Sequence, residues 1–341
     1  MNIQCSVTVN PNAHLDNESD WNQSDEMNLI SGQYRRGKKI GMGSFCTVYI
    51  GLDVLSGEEV ALKVDKCRDS QPLLSHEHKV YARFEGCAGF PRIHHFGQEN
   101  GYNILVMDIL GPSLEDLFNL CGRRFTLRTI LKLVDQMIDR IERVHERNII
   151  HRDLKPDNFV TGIKHQSQVI HLIDFGLAKQ YYNSYSRCHI SYQEGKSMCG
   201  TARYASLNAH MGIELSRRDD MESLGYMLVY FLQGHLPWQG ISATNKKERF
   251  EKIMERKMST NIDDLCAGAP KEFAVYLKYC RNMNFEEQPD YKYWRDTFRK
   301  LYMRSQNLQC DFAFDWVGLN HPRLMEQESN DASTVPDNDD A

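Results

Sequence analysis

Apolar and polar residues alternate along residues 34–106, and short runs of turn-forming residues separate the alternating stretches. A two-residue period is typical of β-strands that pack one face against a core. One stretch, from about residue 73 to residue 84, departs from this alternation and is predicted to be a helix. We therefore expect a mainly β unit that contains one helix in this part of the chain.

From residue 112 onward the apolar period changes to three and four residues, which is typical of helices. Thr126 is a predicted N-cap, and the helix after it has one apolar face formed by Ile130, Val134, Met137, Ile141 and Val144. Further helices are predicted over residues 220–233, 246–256 and 272–282. Trp238, Trp294 and Trp316 are interpreted as core residues. The second unit should therefore be larger and mainly helical.

The two ends of the chain differ from the middle in charge. Residues 1–33 and residues 317–341 each carry a net charge of −5, and because the whole chain carries −5, residues 34–316 carry +5. Both ends are rich in Asn, Asp, Ser and Glu and lack apolar periodicity. We predict four segments: an acidic disordered tail (1–33), a small lobe with a hinge (34–111), a large lobe (112–318) and a second acidic disordered tail (319–341).

Cysteine usage and hydropathy argue against metal-binding cysteines and membrane insertion. The ten cysteines form no C-x-x-C pair, so we expect reduced thiols. No apolar run approaches the ~20 residues that a membrane span needs. Asn2 stands where N-myristoylation requires glycine, and the end at Asp340-Ala341 is not a prenylation signal. We expect no membrane anchor.

The polar cluster with the most chemical content is H-R-D-L-K-P-D-N at residues 151–158, followed by D-F-G at residues 174–176. Two carboxylates and an amide at this spacing suit a site that holds Mg²⁺ on a nucleotide and aims a hydroxyl at its terminal phosphate. Asp153 would orient the hydroxyl, and Asn158 and Asp174 would ligate the metal. Either triplet alone could be a chance turn or a helix C-cap, but their ordered pair argues against that. The predicted cofactors are ATP and Mg²⁺.

The matching upstream elements are a glycine-rich turn and a strand lysine. Residues 40–48, I-G-M-G-S-F-C-T-V, are predicted to form a strand, a tight turn and a strand, whose glycines let backbone N–H groups approach phosphates. Cys46 stands where the G-x-G-x-x-G pattern has its last glycine. Lys63 would hold the α- and β-phosphates, and Glu77 would hold Lys63. A strand lysine can be a solvated edge charge and Glu77 a helix-surface acid, but the ordered set disfavours both readings.

Further motifs are L-G-P-S-L-E-D-L (110–117), D-N-F (157–159), G-T-A-R-Y-A-S-L-N (200–208), S-R-R-D-D (216–220) and L-P-W-Q-G (236–240). With them, the chain resembles the casein kinase I family of protein kinases from about Tyr34 to Trp316. The resemblance implies an α+β, bilobal protein kinase fold, with a small mainly β lobe that has one helix and a larger mainly α lobe. The family replaces the A-P-E of most kinases, as residues 206–208 do here, so Arg281 should lack its usual glutamate partner. Cys46 departs from the family.

The resemblance also places the nucleotide. Met107 would lie behind the adenine, and the backbones of Asp108 and Leu110 would meet its polar edge. The implied nucleotide-binding residues are Ile40, Gly41, Met42, Gly43, Ser44, Phe45, Cys46, Val48, Ala61, Lys63, Met107, Asp108, Leu110 and Ile173. The apolar members could equally be core residues, and only the hinge position favours a role at the adenine.

The K-P-D-N form of the catalytic loop matches serine/threonine kinases. The resemblance implies that Lys155 contacts the γ-phosphate and that Thr201 hydrogen-bonds both Asp153 and Lys155. The predicted catalytic residues are Lys63, Glu77, Asp153, Lys155, Asn158 and Thr201.

Substrate choice would depend on basic residues. Arg203 and Arg249 match positions where the family binds a substrate phosphate, and Arg152, Lys179 and Lys196 match a second anion site near the activation segment. The alternative is that these are scattered solvated charges. It is the weaker reading for Arg203 and an even one for Arg249.

The sequence therefore favours a serine/threonine kinase for protein substrates with acidic or phosphorylated motifs. We expect a monomer in the cytoplasm and nucleus that does not bind nucleic acid directly. Two alternatives are a pseudokinase scaffold, which Cys46 alone suggests, and a small-molecule phosphotransferase, which the segment from Gly200 to Asp220 disfavours.

Overall fold

The computed structural model describes residues 29–43, 46–67, 73–305 and 313–319. Its first part is a five-stranded antiparallel sheet with the strand order β1-β2-β3-β5-β4. The strands are β1 (Tyr34–Met42), β2 (Cys46–Asp53), β3 (Glu59–Lys66), β4 (Ile93–Glu99) and β5 (Tyr102–Asp108). Helix α1 (Leu73–Tyr81) packs on this sheet and continues into a 3₁₀ turn, Ala82–Phe84. The predicted helix near residues 73–84 is confirmed.

The second part is mainly helical. Its helices are α2 (Leu114–Leu120), α3 (Leu127–Glu146), α4 (Leu207–His210), α5 (Arg217–Gln233), α6 (Lys246–Ser259), α7 (Ile262–Leu265), α8 (Lys271–Asn282) and α9 (Tyr291–Ser305). Short strands pair between α3 and α4: β6 (Ile149–Ile150) with β9 (Lys179–Gln180), β7 (Phe159–Thr161) with β8 (Ile170–Leu172), and β10 (Tyr182–Asn183) with β11 (Cys188–His189). The predicted α+β fold with two unequal lobes is confirmed.

Helix α3 is the central support of the helical lobe. Its predicted apolar face is fully buried, and Arg140 and His145 are buried with it. α3 packs against α5 and α9. The Thr126 hydroxyl caps the helix by accepting a hydrogen bond from the Thr129 N–H at 3.3 Å, as predicted. Because α3 leads directly into β6 and the loop after it, burial of α3 fixes where that loop begins.

Several elements differ from the sequence prediction. The three later predicted helices are present, but α5 begins three residues earlier than expected, and α6 ends three residues later. Helix α9 was not predicted. The two- and three-residue strands of the large lobe were not predicted either, because strands this short carry no readable period. The three predicted core tryptophans are buried. The predicted disordered tails lie almost entirely outside the described residues.

Within the described ranges, no helix is long and apolar enough to cross a membrane.

The N-cap of α3 gives a stability prediction. The Thr126 hydroxyl also donates to Asp315 Oδ1 at 2.7 Å, and the Thr126 N–H donates to Asp315 Oδ2 at 2.6 Å. Thr126→Ala removes the cap and one of these bonds, so we expect the free energy of unfolding to fall by about 1–2 kcal/mol. Urea denaturation measures this. Thr126→Ser, which keeps the hydroxyl, should remain close to wild type, and an unchanged Thr126→Ala midpoint would contradict the role of the cap.

Candidate active site

A buried lysine joins the two lobes at the base of the cleft. Strand β3 directs the Lys63 side chain toward helix α1, where Nζ lies 2.7 Å from Glu77 Oε2 and 2.9 Å from Asp174 Oδ1. Burial raises the pKa of Glu77 and the Asp174 charge adds to this, while Lys63 opposes both effects. One lysine therefore holds together a strand, a helix and the D-F-G segment. The expected pairing of Lys63 with Glu77 is part of this arrangement.

The D-F-G segment is held in one position by its backbone and by aromatic packing. Asp174 has a left-handed backbone (φ 68°), and its N–H donates to the Tyr81 hydroxyl at 3.1 Å. Phe175 is fully buried among the rings of Tyr81, Phe84, Phe90 and His151. A left-handed non-glycine residue is costly, so the surrounding contacts must hold it. The result is that Asp174 points into the cleft.

The loop that carries Asp153 is anchored from below by Asp220 on α5. The Asp220 carboxylate accepts from the backbone N–H groups of His151 (2.7 Å) and Arg152 (2.9 Å), and His145 Nε2 lies 2.9 Å from it. Burial alone would raise the pKa of Asp220, but these hydrogen bonds hold the pKa below its usual value. Arg152 has a left-handed backbone (φ 69°), which turns two consecutive N–H groups toward one carboxylate.

The Asp153 carboxylate is fixed on both sides. Its Oδ1 accepts from the N–H and the hydroxyl of Thr201, each at 2.7 Å, and its Oδ2 accepts from Lys155 Nζ at 3.0 Å. Gly200 makes the approach possible, because a Cβ there would lie 2.5 Å from the Arg152 carbonyl oxygen. The expected hydrogen bond from Thr201 to Asp153 is present, and among the described residues no hydrogen bond joins Thr201 directly to Lys155. Asp153 lies between the two and accepts from both.

Lys155 remains a cation despite its burial. Burial would lower its pKa, but the nearby charges of Asp153, Asp174 and Asp157 raise it above the ordinary lysine value. The site therefore contains two buried lysines, Lys63 and Lys155, on either side of its carboxylates.

Asn158 fits a metal site. Its Nδ2 donates to the Asp153 carbonyl oxygen at 2.9 Å, which turns Oδ1 away, and this buried Oδ1 has no hydrogen-bond partner among the described residues. An amide oxygen and the Asp174 carboxylate are the hard oxygen ligands that Mg²⁺ prefers. The described residues contain no cluster of three or more His, Cys, Asp or Glu side chains for a metal. A nucleotide-bound Mg²⁺ needs none, since phosphates supply part of its ligands.

Most of the apolar residues predicted around the adenine belong to the large core cluster that runs through both lobes. Val48, Ala61 and Met107 are buried in one cluster with Ile40 packed against it, and Ala61 pairs with Met107 across β3 and β5. Ile173, which is half-buried, precedes Asp174. The Asp108 N–H donates to the Arg92 carbonyl oxygen at 3.0 Å, and its carboxylate lies 2.8 Å from His94 Nε2. The start of the hinge is thus attached to β4.

The glycine-rich turn is described in part. Gly41 and Met42 end β1, Cys46 begins β2, and Met42 pairs with Thr47, so the two predicted strands are confirmed. Ser44 and Phe45 lie outside the described residues. Cys46 is buried and lines a cleft of about 390 Å³ together with Lys63, Glu77, Asp153 and Asp174. Cys46 therefore lies in the same cleft as the predicted phosphate-binding lysine and the predicted metal ligand Asp174.

Arg152, Lys179 and Lys196, the three residues of the second predicted anion site, line a separate pocket of about 450 Å³. A carboxylate shares that pocket: Glu214 lies 2.8 Å from Lys179 Nζ and 3.4 Å from Lys196 Nζ. Burial opposes its charge, but the two lysines hold the pKa of Glu214 below its usual value. Glu214 thus neutralises part of the positive charge.

The two residues of the first predicted anion site, Arg203 and Arg249, differ in burial. Arg203 is half-buried, with its guanidinium 5.7 Å from the ring centroids of Tyr204 and of Tyr230. Arg249 is exposed on α6.

Arg281 has a partner that the sequence did not reveal. Residues 206–208 supply no glutamate, as expected, but Arg281 Nε lies 3.4 Å from Oε1 of the buried Glu222. The same carboxylate accepts from the Tyr226 hydroxyl and, at 3.2 Å, from the Leu207 N–H. An ion pair therefore still supports this segment, with its acid on α5.

A family model for the protein kinase domain matches residues 34–292, which is most of the chain. The chain belongs to the protein kinase family. This assignment agrees with the two-lobed fold, and it implies ATP as the phosphoryl donor, typically with Mg²⁺.

Sequence reasoning missed Asp220, Glu214 and Glu222 as residues of the site. Asp220 had a signal, the S-R-R-D-D motif, although no role was drawn from it. Glu214 and Glu222 had none, because each is a single acid whose partners lie far away in sequence.

Cys46 gives a prediction about nucleotide affinity. A side chain at this position crowds the approach of the loop to phosphates, so Cys46→Gly should lower the KM for ATP about three- to tenfold, equivalent to roughly 0.7–1.4 kcal/mol. Steady-state kinetics with varied ATP measure this. Cys46→Ala keeps the Cβ and should stay near wild type. Equal KM values for wild type and Cys46→Gly would refute the crowding argument.

Proposed function

We propose that this protein is a casein kinase I-like serine/threonine kinase, which transfers the γ-phosphoryl group of ATP to serine or threonine in acidic or phosphate-primed proteins. The observation that supports it best is the fixed Asp153 carboxylate, held by Thr201 on one side and by Lys155 on the other. Lys155 contacts this carboxylate directly, and the predicted metal ligand Asn158 hydrogen-bonds the backbone of the same residue.

Asp153 would orient the acceptor. A substrate hydroxyl placed against its carboxylate would donate its proton there while the oxygen faces the terminal phosphate. Because Thr201 and Lys155 already hold the carboxylate, little reorganisation is needed when the substrate arrives. The neighbouring Lys155 suits a serine or threonine acceptor, as the K-P-D-N pattern suggests.

The two buried lysines would carry the electrostatic part of the reaction. Lys63, held by Glu77, would contact the α- and β-phosphates, and Lys155 would face the transferred group. Both would stabilise charge that develops on phosphate oxygens in a site that is shielded from bulk water. Asn158 and Asp174 would hold Mg²⁺, which neutralises phosphate charge when it is bound.

Substrate choice would come from the basic residues outside the cleft. Arg203 lies three residues beyond Gly200, in the segment that contacts Asp153, and its planar guanidinium suits a phosphate. The pocket of Arg152, Lys179 and Lys196 offers a second anion site next to the same loop. These positions support a preference for primed substrates.

The test is transfer from radiolabelled ATP and Mg²⁺ to two matched peptides. One peptide has phosphoserine three residues before the target serine, and the other has plain serine there. We expect faster transfer to the primed peptide. Asp153→Asn should lower the rate by at least 10³-fold without changing ATP binding, because it removes the group that orients the hydroxyl.

The possible results separate the levels of the proposal. Transfer without a preference for the primed peptide would remove the account of specificity but keep the kinase. An absence of transfer to either peptide or to casein, with ATP binding intact, would favour a pseudokinase scaffold.

Glu214 gives a prediction about the second anion pocket. Its carboxylate competes with any external anion for Lys179 and Lys196, so Glu214→Gln should tighten sulfate or phosphate binding about five- to tenfold, or roughly 1–1.4 kcal/mol. Isothermal titration calorimetry of the full chain measures this. Glu194→Gln changes an exposed acid in the same segment and serves as the control. Unchanged or weaker binding by Glu214→Gln would refute the competition.

A further inference from the structure

Lys257, on α6, is a fully buried lysine outside the catalytic cleft. Its relative exposure is 0%, although most of α6 faces solvent. Lysine is almost never fully buried unless its ammonium group is paired. Its surroundings therefore have to explain its position.

The ammonium group binds the backbone of the segment that carries Arg203. Lys257 Nζ donates to the carbonyl oxygens of Ala202 at 2.9 Å and Ala205 at 2.5 Å. One of the two carbonyls between them, that of Arg203, accepts from Trp238 Nε1 at 2.7 Å. Three carbonyls in a row of four residues are thus held by side chains from outside the segment.

Aromatic rings enclose the same ammonium group. Nζ lies 4.8 Å from the ring centroid of Tyr226 and 5.0 Å from that of Trp238, which are cation–π distances. Trp238 therefore contacts Lys257 with its ring while its indole N–H holds Arg203. The ammonium group and the indole act on one short stretch of backbone from the same side.

Two charges and one histidine from three other helices surround Lys257. Glu222 on α5 favours the ammonium, Arg281 on α8 disfavours it, and His210 on α4 shares the Ala202 carbonyl oxygen at 3.2 Å. Burial lowers the pKa of Lys257 to about 7. Burial also lowers the pKa of His210, to about 3, so His210 is neutral near pH 7. The lysine is costly to bury, and its position is explained by the backbone that it holds.

We propose that Lys257 is a positioning residue for the protein substrate, because its side-chain amino group, which can donate both hydrogen bonds in either protonation state, fixes residues 202–205 and thereby sets where Arg203 presents its guanidinium. The proposal rests on the proposed function, in which Arg203 binds a substrate phosphate. Lys257 touches neither ATP nor the acceptor; it acts through the backbone of Arg203.

The experiment compares full-length wild type and Lys257→Met with the primed and plain peptides. Methionine keeps an unbranched stem of similar length and removes the ammonium. We expect the KM for the primed peptide to rise at least tenfold, the KM for the plain peptide to change less than about threefold, and the KM for ATP to stay constant. Lys247→Met, on an exposed part of the same helix, is the matched control and should behave as wild type.

Coupling to Arg203 is tested by a double-mutant cycle. If Lys257 acts through Arg203, then Arg203→Ala combined with Lys257→Met should have the same primed-peptide KM as Arg203→Ala alone. Additive effects would overturn the proposal. So would an unchanged primed KM, or a parallel rise in the KM values for both peptides and ATP, which a general structural role would produce.

Hydrogen exchange supplies a readout that does not depend on activity. The N–H groups of Tyr204 and Ala205 both donate to the Thr201 carbonyl oxygen at 2.9 Å. They should exchange faster in Lys257→Met, and not in Lys247→Met. Unchanged exchange in Lys257→Met would overturn the proposal for Lys257, whatever the peptide assay shows. A failure of wild type to phosphorylate either peptide would count against the proposed function and not against the positioning role of Lys257. Should Lys257→Met fail to fold, Lys257→Gln replaces it, since glutamine keeps N–H donors but carries no charge. We then expect a raised primed-peptide KM and faster exchange of the Tyr204 and Ala205 N–H groups than in wild type. Wild-type values of both would overturn the proposal.

Discussion

The buried carboxylate of Asp220 is the constraint on which the active site depends. It accepts hydrogen bonds from two consecutive backbone N–H groups and lies against His145, so it joins α5, α3 and the catalytic loop at one point. Without it, two buried N–H groups would lack partners, at a cost of about 1–3 kcal/mol each. The left-handed backbone of Arg152 persists because this carboxylate holds it. The direction of Asp153 follows from that backbone.

A second constraint acts on the substrate side of the cleft. Residues 202–207 run through a buried region in which their polar backbone needs partners. Most protein kinases stabilise the corresponding segment with an acid that belongs to it. Here the acid is Glu222 on α5, which accepts from Leu207, while Lys257 and Trp238 donate to the preceding carbonyls. The backbone of residues 202–207 is therefore stabilised by side chains from other parts of the large lobe, and the segment itself contributes Arg203.

Much of the fold and the core of the site could be predicted from the sequence, for a physical reason. Lys63, Glu77, Asp153 and Asp174 lie in local patterns whose order along the chain is itself informative, and α3 carries an uninterrupted apolar face. The partnerships of Glu214, Glu222 and Lys257 could not be found this way. Each is one charged residue on a helix or loop, and its function depends on which distant backbone or side chain folding brings next to it. The arrangement of Thr201 and Lys155 has the same origin, since both were expected beside Asp153 and only the structure shows that its carboxylate accepts from each of them on a different oxygen.

The side-chain amide of Asn158 links the shape of the catalytic loop to the direction of a possible metal ligand. Its amide is turned by one hydrogen bond so that a buried oxygen is left without a partner in the described structure. This is agreement between two levels of structure: the hydrogen bond that holds the loop locally also fixes the direction of a possible metal ligand. Turning the amide over would mean giving up the bond to the Asp153 backbone. The cleft is therefore kept receptive by the same contact that keeps the loop in shape.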